Sequence, residues 1–325
     1  MTPRILFGDS NDPTRNLAVE EALLLNGAAG PFLYLWQNAH TVVIGSGQNA
    51  WKECRTELLT SQGGTLVRRT TGGGAVYHDL GNLNFSFVMP KDMYDVPTQA
   101  QVIADAIGRF GVVVERSGRN DLVIQKTRAK FSGNAFRMRQ DAALHHGTIL
   151  VNVDMDNLGR YLAPSRQKLQ AKGVESVRSR VENLSVHAPH MTIPALKEEL
   201  AQAFADTYGA SERVTIADVL VPTQVDELTQ KYRSWEWTYG KTPRFDVQME
   251  TRFAWGGVEL MLSLRHGTVE HATCFTDAMD ADLGHRVASL LVGSVYEPTA
   301  LSQCLADSDI PEDRDIAAWL AAQEL

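Results

Sequence analysis

The stretch with the most chemistry to offer is Arg68-Arg69-Thr70-Thr71-Gly72-Gly73-Gly74-Ala75-Val76-Tyr77-His78-Asp79. Two guanidinium groups lead into three glycines, and a short strand-like piece then carries a histidine and a carboxylate. Consecutive glycines let backbone N–H groups close around an anion, and arginine offers a planar fork matched to phosphate or carboxylate. The stretch reads as an anion-binding turn, although a glycine run between strands also serves as a plain loop. Further along, Lys130-Phe131-Ser132-Gly133-Asn134-Ala135 reads as a strand. A period of two sets Lys130, Ser132 and Asn134 on one face and Phe131, Gly133 and Ala135 on the other. Asp121 follows the turn Ser117-Gly118-Arg119-Asn120, at the mouth of another strand.

Arg69, a glycine turn, Lys130 and a strand-end carboxylate suit the condensation of a carboxylate with ATP. Two anions must meet there, and fixed cations with backbone N–H groups relieve the repulsion between carboxylate and α-phosphate. Lys130 fits that role best. Asp121 is placed either to hold Mg²⁺ or to hydrogen-bond the nucleotide. Nucleophilic catalysis has less support, because there is no Gly-x-Ser-x-Gly elbow and no cysteine close in sequence to His78, His145 or His146. His145 and His146 are adjacent on a strand and point to opposite faces, which argues against a shared metal.

These groups need a frame to hold them. The 325 residues suffice for a large domain plus a small one, with no run of eighteen apolar residues and no signal-peptide pattern at Met1 to Ser10, so a cytoplasmic location without membrane contact is expected. The three cysteines form no CxxC pair, which excludes a disulfide framework or a zinc site as the organising principle. A net charge of −8 argues against nucleic acid as a partner. Basic residues nevertheless gather between Arg116 and Gln140 and between Asn157 and Val181, each segment with a single acid, which suits a compact polyanion or an acidic partner protein.

Asp12-Pro13 starts a helix through Leu25, and Pro31 to Trp36 with Thr41 to Ile44 suggest a hairpin. Trp36 at its bend serves either core packing or an apolar acyl chain. A helix is expected over Trp51 to Gln62, strands at Thr65 to Arg69 and Ala75 to Tyr77, and a half-buried strand in which Leu83, Phe85 and Phe87 alternate with Asn84 and Ser86. Thr98 to Phe110 reads as helix, and Val112 to Val114, Asp121 to Ile124 and Ile149 to Val151 read as strands. Met155 to Leu162 and Ala195 to Tyr208 are helical, with the basic, glycine-containing Gln167 to Arg180 between them as a lid. Strands return at Arg252 to Trp255, Val258 to Leu264 and Thr268 to Thr276, and three helices close the chain. This divides it into a domain over 1–240 and a small one over 245–325, with the linker near Tyr239 to Arg244.

Taken together, Arg68-Arg69-x-x-Gly72-Gly73-Gly74-Ala75-Val76-Tyr77-His78-Asp79-x-Gly81-Asn82, Ser117-Gly118-Arg119-Asn120-Asp121-Leu122, Lys130-x-Ser132-Gly133-x-Ala135 and His145-His146-Gly147-Thr148 resemble the bacterial two-domain lipoate-protein ligases. The resemblance extends through Asn16 to Glu21, Trp51 to Cys54, Lys172 to Arg180 and Phe253 to Leu260, almost the whole chain. It implies an α+β fold: a large catalytic domain of the biotin/lipoate ligase type, with mixed sheets packed by helices, and a small C-terminal α+β domain. It implies a two-step activity in which lipoate and ATP, with Mg²⁺, give lipoyl-AMP and pyrophosphate, and the lipoyl group then passes to a lysine of an acceptor domain. The acceptors implied are E2 subunits of 2-oxoacid dehydrogenases and the H protein, and a single chain, a monomer, holds the whole site.

Carried over by motif, Arg69, Gly74, Ala75, Val76, Tyr77, Asn82, Asp121, Lys130 and Thr148 bind the nucleotide. Trp36, Arg69, Gly73, Gly74, His78, Lys130, Ala135 and His146 line the lipoate tunnel. Lys172, Gly173, Ser179 and Arg180 belong to a loop folding over the adenylate. Thr70-Thr71 departs from the serines of related ligases, which bears on acyl-chain selectivity. The rival classes are an acyltransferase of the same fold working through a cysteine thioester without ATP, a biotin ligase, whose arginine-rich glycine loop is spaced differently, and a non-catalytic binding module.

Overall fold

The computed structural model describes the chain except for residues 28–29, 119, 163–180, 241–245 and 324–325. The lid residues Lys172, Gly173, Ser179 and Arg180 therefore lie outside the described residues, as does most of the expected linker. No helix among the described residues is long and apolar enough to cross a membrane. The chain forms two compact units that are not continuous in sequence: Met1–Val43 with Cys54–Val67 and Val76–Ser234, and Ile44–Glu53 with Arg68–Ala75 and Trp235–Leu325.

The first unit is built on an eight-stranded mixed sheet. Its strands are β1 (Arg4–Phe7), β2 (Phe32–Trp36), β6 (Asn82–Pro90), β7 (Val114–Ser117), β8 (Asp121–Ile124), β9 (Lys130–Met138), β10 (Ala142–Leu150) and β11 (Glu212–Val214), in the spatial order β11-β1-β2-β6-β10-β9-β8-β7. A separate sheet joins β4 (Thr65–Arg68), β3 (Thr41–Ile44) and β5 (Val76–His78) in the order β4-β3-β5. The hairpin expected from Pro31 to Ile44 is thus not formed. β2 pairs with β1 and β6 while β3 pairs with β5, so the short connection changes sheets instead of folding back.

One face of the large sheet is apolar. Leu33, Leu35, Phe85, Phe87 and Ile149 meet Val102, Ile103 and Ile107 of the helix Val96–Gly108 and Leu196, Leu200 and Phe204 of the helix Ile193–Tyr208. Full burial of each such side chain is worth about 1.5–3 kcal/mol, which makes this layer the main driving force for the unit. The opposite face is polar and is covered by α1 (Pro13–Leu25), whose N-cap Asp12 accepts from Thr14 N and whose first helical residue is Pro13. β6 is consequently buried at every position and not half-buried, because the alternate set Asn84 and Ser86 faces a second covering layer. The expected helix over Trp51 to Gln62 is two short pieces, Ala50–Glu53 and Thr56–Ser61, and the strand placed at Val112 to Val114 begins at Val114.

In the second unit, β12 (Val247–Phe253), β13 (Gly256–Arg265) and β14 (Thr268–Thr276) form an antiparallel meander, with the first strand earlier than Arg252 to Trp255. The helices Leu283–Leu291, Pro298–Ala306 and Pro311–Ala321 cover it through Val287, Leu291, Leu305, Ile316 and Leu320 packed on Leu260 and Leu262. Arg286 holds the fully buried Asp313 through Nε and Nη2. The large sheet with its helices and the small C-terminal sheet with its helices are therefore both α+β, as the resemblance implied.

Candidate active site

Register lays out the polar face of the large sheet. His146 pairs with Ser86 and with Ala135, Thr148 pairs with Asn84, and Trp36 and Tyr34 of β2 pair with Asn84 and Ser86. Cross-strand partners share a face, so these seven residues all look toward α1. Glu20 of α1, only 2% exposed, closes that face. Its carboxylate accepts from Ser86 Oγ at 2.5 Å and from His146 Nδ1 at 2.7 Å, and Ser86 Oγ accepts from Trp36 Nε1 at 3.0 Å. Trp36 also meets His78 edge-on, and His78 Nδ1 lies 3.1 Å from Asn38 Nδ2. Trp36, His78 and His146 thus belong to one buried, hydrogen-bonded cluster, with Ala135 beside His146.

Glu20, Ser86, Asn38 and Asn16 carry no site role in the sequence reading, although Asn16 to Glu21 belongs to the stretches that bear the resemblance. A usable signal was present in α1, where Asn16 and Glu20 stand four residues apart on the same face as buried apolar neighbours. Buried polar groups at such spacing need partners, and here they have them: Tyr34 Oη donates to Asn16 Oδ1, and Asn16 Nδ2 donates to Asn38 Oδ1.

Lys130 reaches the same face by a local irregularity. Leu122 pairs with Ser132 but Val123 pairs with Lys130, so Phe131 is an extra residue in β9, a β-bulge. Phe131 is driven into the apolar core beside Leu122. The strict alternation expected for Lys130, Ser132 and Asn134 is broken as a result, and the lysine runs over Gly133, where an added Cβ would stand 2.9 Å from Nζ. Lys130 Nζ pairs with Asp121 Oδ1 at 2.7 Å, both groups about one-third exposed (34% and 35%). Gly133 N donates to Thr148 Oγ1 at 3.3 Å, and Asn82 Nδ2 donates to Asn84 Oδ1 at 3.0 Å. The bulge therefore delivers a cation to the rim of the polar face, within one strand of Thr148 and His146.

His145 lies on the other, apolar face, with Phe85, Phe87 and Phe136 around its ring. Complete burial, with smaller contributions from His146 and Arg116, depresses its pKa to about 3. A folded-state pKa below the unfolded value of 6.5 gives stability that is complete above pH 6.5 and is lost as pH falls toward 3. Acid titration of stability should therefore steepen below pH 6.5 by up to about 1.4 kcal/mol per pH unit from this residue. Urea melts at pH 7.0, 6.0 and 5.0 on the wild type and on His145→Phe would check this, since the variant should lose that part of the slope.

The glycine turn belongs to the second unit. Arg69 is buried and braces the turn from within, donating from Nε to Thr71 Oγ1 and from Nη2 to the carbonyls of Gly72 and Gly74. Gly73, at φ +89°, needs the left-handed region and donates its N–H to Ala278 O at 2.7 Å. A Cβ on Gly72 would stand 2.4 Å from the same carbonyl. Gly74 and Ala75 are half-exposed, with open space around the Gly74 Cα. Arg68 is also buried but turns away from the glycines, donating to the carbonyls of Gly45, Ser46, Gln48, Trp237 and Thr238. Of the paired guanidinium groups, only Arg69 remains with the turn. In the first unit Val76 pairs with Val43, and Tyr77 packs its ring on His40 and Tyr161, burial raising its hydroxyl pKa to about 12.

Residues 12–205 match the family described as the lipoyl protein ligase A/B catalytic domain, and residues 242–318 match the bacterial lipoate protein ligase C-terminus. Among solved structures, P. falciparum LipL1 in complex with lipoate is 26% identical, with 99% of this chain and 100% of that chain covered and a TM-score of 0.87. A bipartite lipoate protein ligase from Thermoplasma acidophilum, studied with its E2 lipoyl domain, is 29% identical over 76% of this chain and 100% of its own, with a TM-score of 0.65. A lipoate-protein ligase A bound with ATP is 28% identical over 74% and 99%, with a TM-score of 0.62.

Proposed function

The chain belongs to the lipoate-protein ligase family, and on that premise we propose that it activates lipoate with ATP to lipoyl-AMP and pyrophosphate, then transfers the lipoyl group to a lysine of a lipoyl-acceptor domain. The observation that carries this reading is the bulge at Phe131, which places the Lys130 ammonium and its Asp121 partner at the rim of the buried Glu20–His146–Ser86–Trp36 cluster. Binding of lipoate and of ATP by similar proteins supports the choice of substrates.

Lipoate carries an apolar tail and an anionic head. The Trp36, His78 and Ala135 surfaces suit the tail, and the Lys130 ammonium suits the carboxylate. As the carboxylate attacks the α-phosphate, charge builds on phosphoryl oxygens, and a fixed ammonium there lowers the barrier more than a mobile one in water. At the glycine turn, which Arg69 braces from within, the half-exposed Gly74 and Ala75 suit phosphate, with Val76, Tyr77, Asn82 and Thr148 as further nucleotide contacts. Among the described residues no group of three histidine, cysteine or acidic side chains is poised for a metal. Asp121 would therefore hold Mg²⁺ in the mode in which phosphate oxygens and water supply most ligands, and the ion would supply neutralisation of phosphate charge. In the second step the adenylate is a mixed anhydride, and its reaction with an amine needs orientation and exclusion of water more than further activation.

The rival thioester route lacks a ready nucleophile. Cys54 and Cys274 are buried, with burial pushing both thiols up to about 12, and Cys304 Sγ donates to Ala300 O. Acceptors are taken to be lipoyl domains, in line with the E2 lipoyl domain studied with the T. acidophilum ligase. The test is pyrophosphate release on mixing the protein with ATP, Mg²⁺ and lipoate, octanoate or biotin, with no acceptor present. Lipoate-dependent release of at least one equivalent per chain is expected. No release with any acid, together with ATP-independent acyl transfer from a carrier protein, would overturn the proposal.

A further inference from the structure

We propose that His145 is a positioning residue for the Lys130–Asp121 pair, acting through a buried Gln99–His145–Asn134 relay that clamps Asn120, the residue before Asp121; the inference rests on the ligase reading above. The side-chain amides of Gln99 and Asn134 flank the ring, each 2.8 Å from one nitrogen. All three residues are buried, on the apolar face of the sheet, away from the Glu20 cluster. The ring is neutral and has one N–H to donate. Asn134 Nδ2 already donates to the Asn120 carbonyl at 3.0 Å, so Asn134 Oδ1 is free to accept from His145 Nε2–H. Gln99 then turns its amide nitrogen to His145 Nδ1, which also gives that nitrogen a partner it otherwise lacks.

The relay ends on a doubly held carbonyl. Asn120 O accepts from both Asn134 N at 2.8 Å and Asn134 Nδ2, which fixes the backbone one residue before Asp121. Asp121 in turn fixes Nζ of Lys130. The bulge at Phe131 makes this clamp necessary. It removes one rung of β8–β9 pairing just where the lysine must be aimed, so the register beside it needs support from outside the ladder. The space between Asp121, Asn134 and His145 is only about 10 Å³, so His145 acts by holding its neighbours and not by contacting substrate.

The test compares His145→Phe, which keeps ring packing but severs both hydrogen bonds, with His145→Gln, Asn134→Ser and the double variant His145→Phe/Asn134→Ser. Phe204→Leu serves as a control for lost core stability. Single-turnover adenylate formation from lipoate and ATP should fall about tenfold in His145→Phe and Asn134→Ser, with KM for lipoate within twofold. The double variant should fall no further, His145→Gln should recover part of the rate, and Phe204→Leu should keep the wild-type rate per folded molecule. Amide hydrogen exchange, read without substrate, should speed up at Asn120 to Leu122 in His145→Phe and Asn134→Ser while β1 and β2 stay protected. A folded His145→Phe with wild-type rate and wild-type exchange in the turn would overturn the relay; Asn134→Ser decides the same question if His145→Phe does not fold. An inactive wild type would instead remove the ligase reading, and the exchange data would still decide whether His145 holds the turn.

Discussion

Replacing Lys130 with alanine is expected to slow adenylate formation roughly 100-fold, which is about 3 kcal/mol in the barrier. Stability should hardly move. Lys130 is about one-third exposed and its pair with Asp121 is partly solvated, and such pairs contribute at most about 1 kcal/mol to folding. Rate and stability therefore separate cleanly at this position. Lys130→Arg should recover little of the rate, because the planar fork is bulkier than an ammonium directly over Gly133, where Nζ already lies within 2.9 Å of a Cβ position. Asp121→Asn should fall between wild type and Lys130→Ala, since it leaves the lysine in place but frees it to wander. Single-turnover pyrophosphate release at saturating ATP and lipoate measures all three. A Lys130→Ala protein within a factor of two of wild type would remove the lysine from the chemistry and leave the polar cluster as a binding pocket only.

Motif residues were legible in the sequence, while the devices that aim them were not. The strand character of Lys130 to Phe136 and the opposite facing of His145 and His146 follow from a period of two, and the structure has both. The face of Lys130 does not follow, because one extra residue at Phe131 inverts the pattern on one side of it, and nothing local marks a bulge when the inserted residue is an aromatic wanted by the core. The full burial of Ser86 and Asn84 escapes the sequence pattern for a related reason. Alternation alone cannot distinguish a polar face turned to water from one turned to a second layer, and α1 supplies that layer here. The glycine turn and its two arginines are plain in the sequence, yet nothing local tells that Arg68 and Arg69 diverge. Successive residues leaving a strand point apart, and which guanidinium stays with the glycines depends on carbonyls contributed by Gly45 to Gln48 and by Trp237 and Thr238.

Arg68 carries the second large expectation, in stability and not in rate. Its side chain is 1% exposed and, among the described residues, faces no carboxylate, so it is a buried cation held by five backbone carbonyls, those of Gly45, Ser46, Gln48, Trp237 and Thr238. Burial lowers its pKa to about 10, which still leaves it charged at neutral pH. In return, Trp237 Nε1 donates to the Arg68 carbonyl at 2.8 Å. One guanidinium thus satisfies the irregular segment Gly45 to Gln48 and the last carbonyls of the short helix Trp235–Thr238, and both lie in the second compact unit. Arg68→Met keeps much of the volume but strands these acceptors in a buried place, where each unmade bond costs about 1–3 kcal/mol. Some will find water, so a total loss of about 4 kcal/mol is expected. Arg68→Lys should lose roughly half as much, because three donors on a point ammonium cannot span acceptors arranged around a planar fork. Two compact units can unfold in separate transitions, and the loss should fall on one of them, with the other midpoint unmoved. Urea titration followed by tryptophan fluorescence, to which the second unit contributes five of the six tryptophans (Trp51, Trp235, Trp237, Trp255 and Trp319), and by far-ultraviolet dichroism, which weights the large first unit, resolves the two. Equal displacement of both midpoints by Arg68→Met, or a loss below 1 kcal/mol, would mean that the five carbonyls are satisfied by other means and that Arg68 is not the hub joining these two segments.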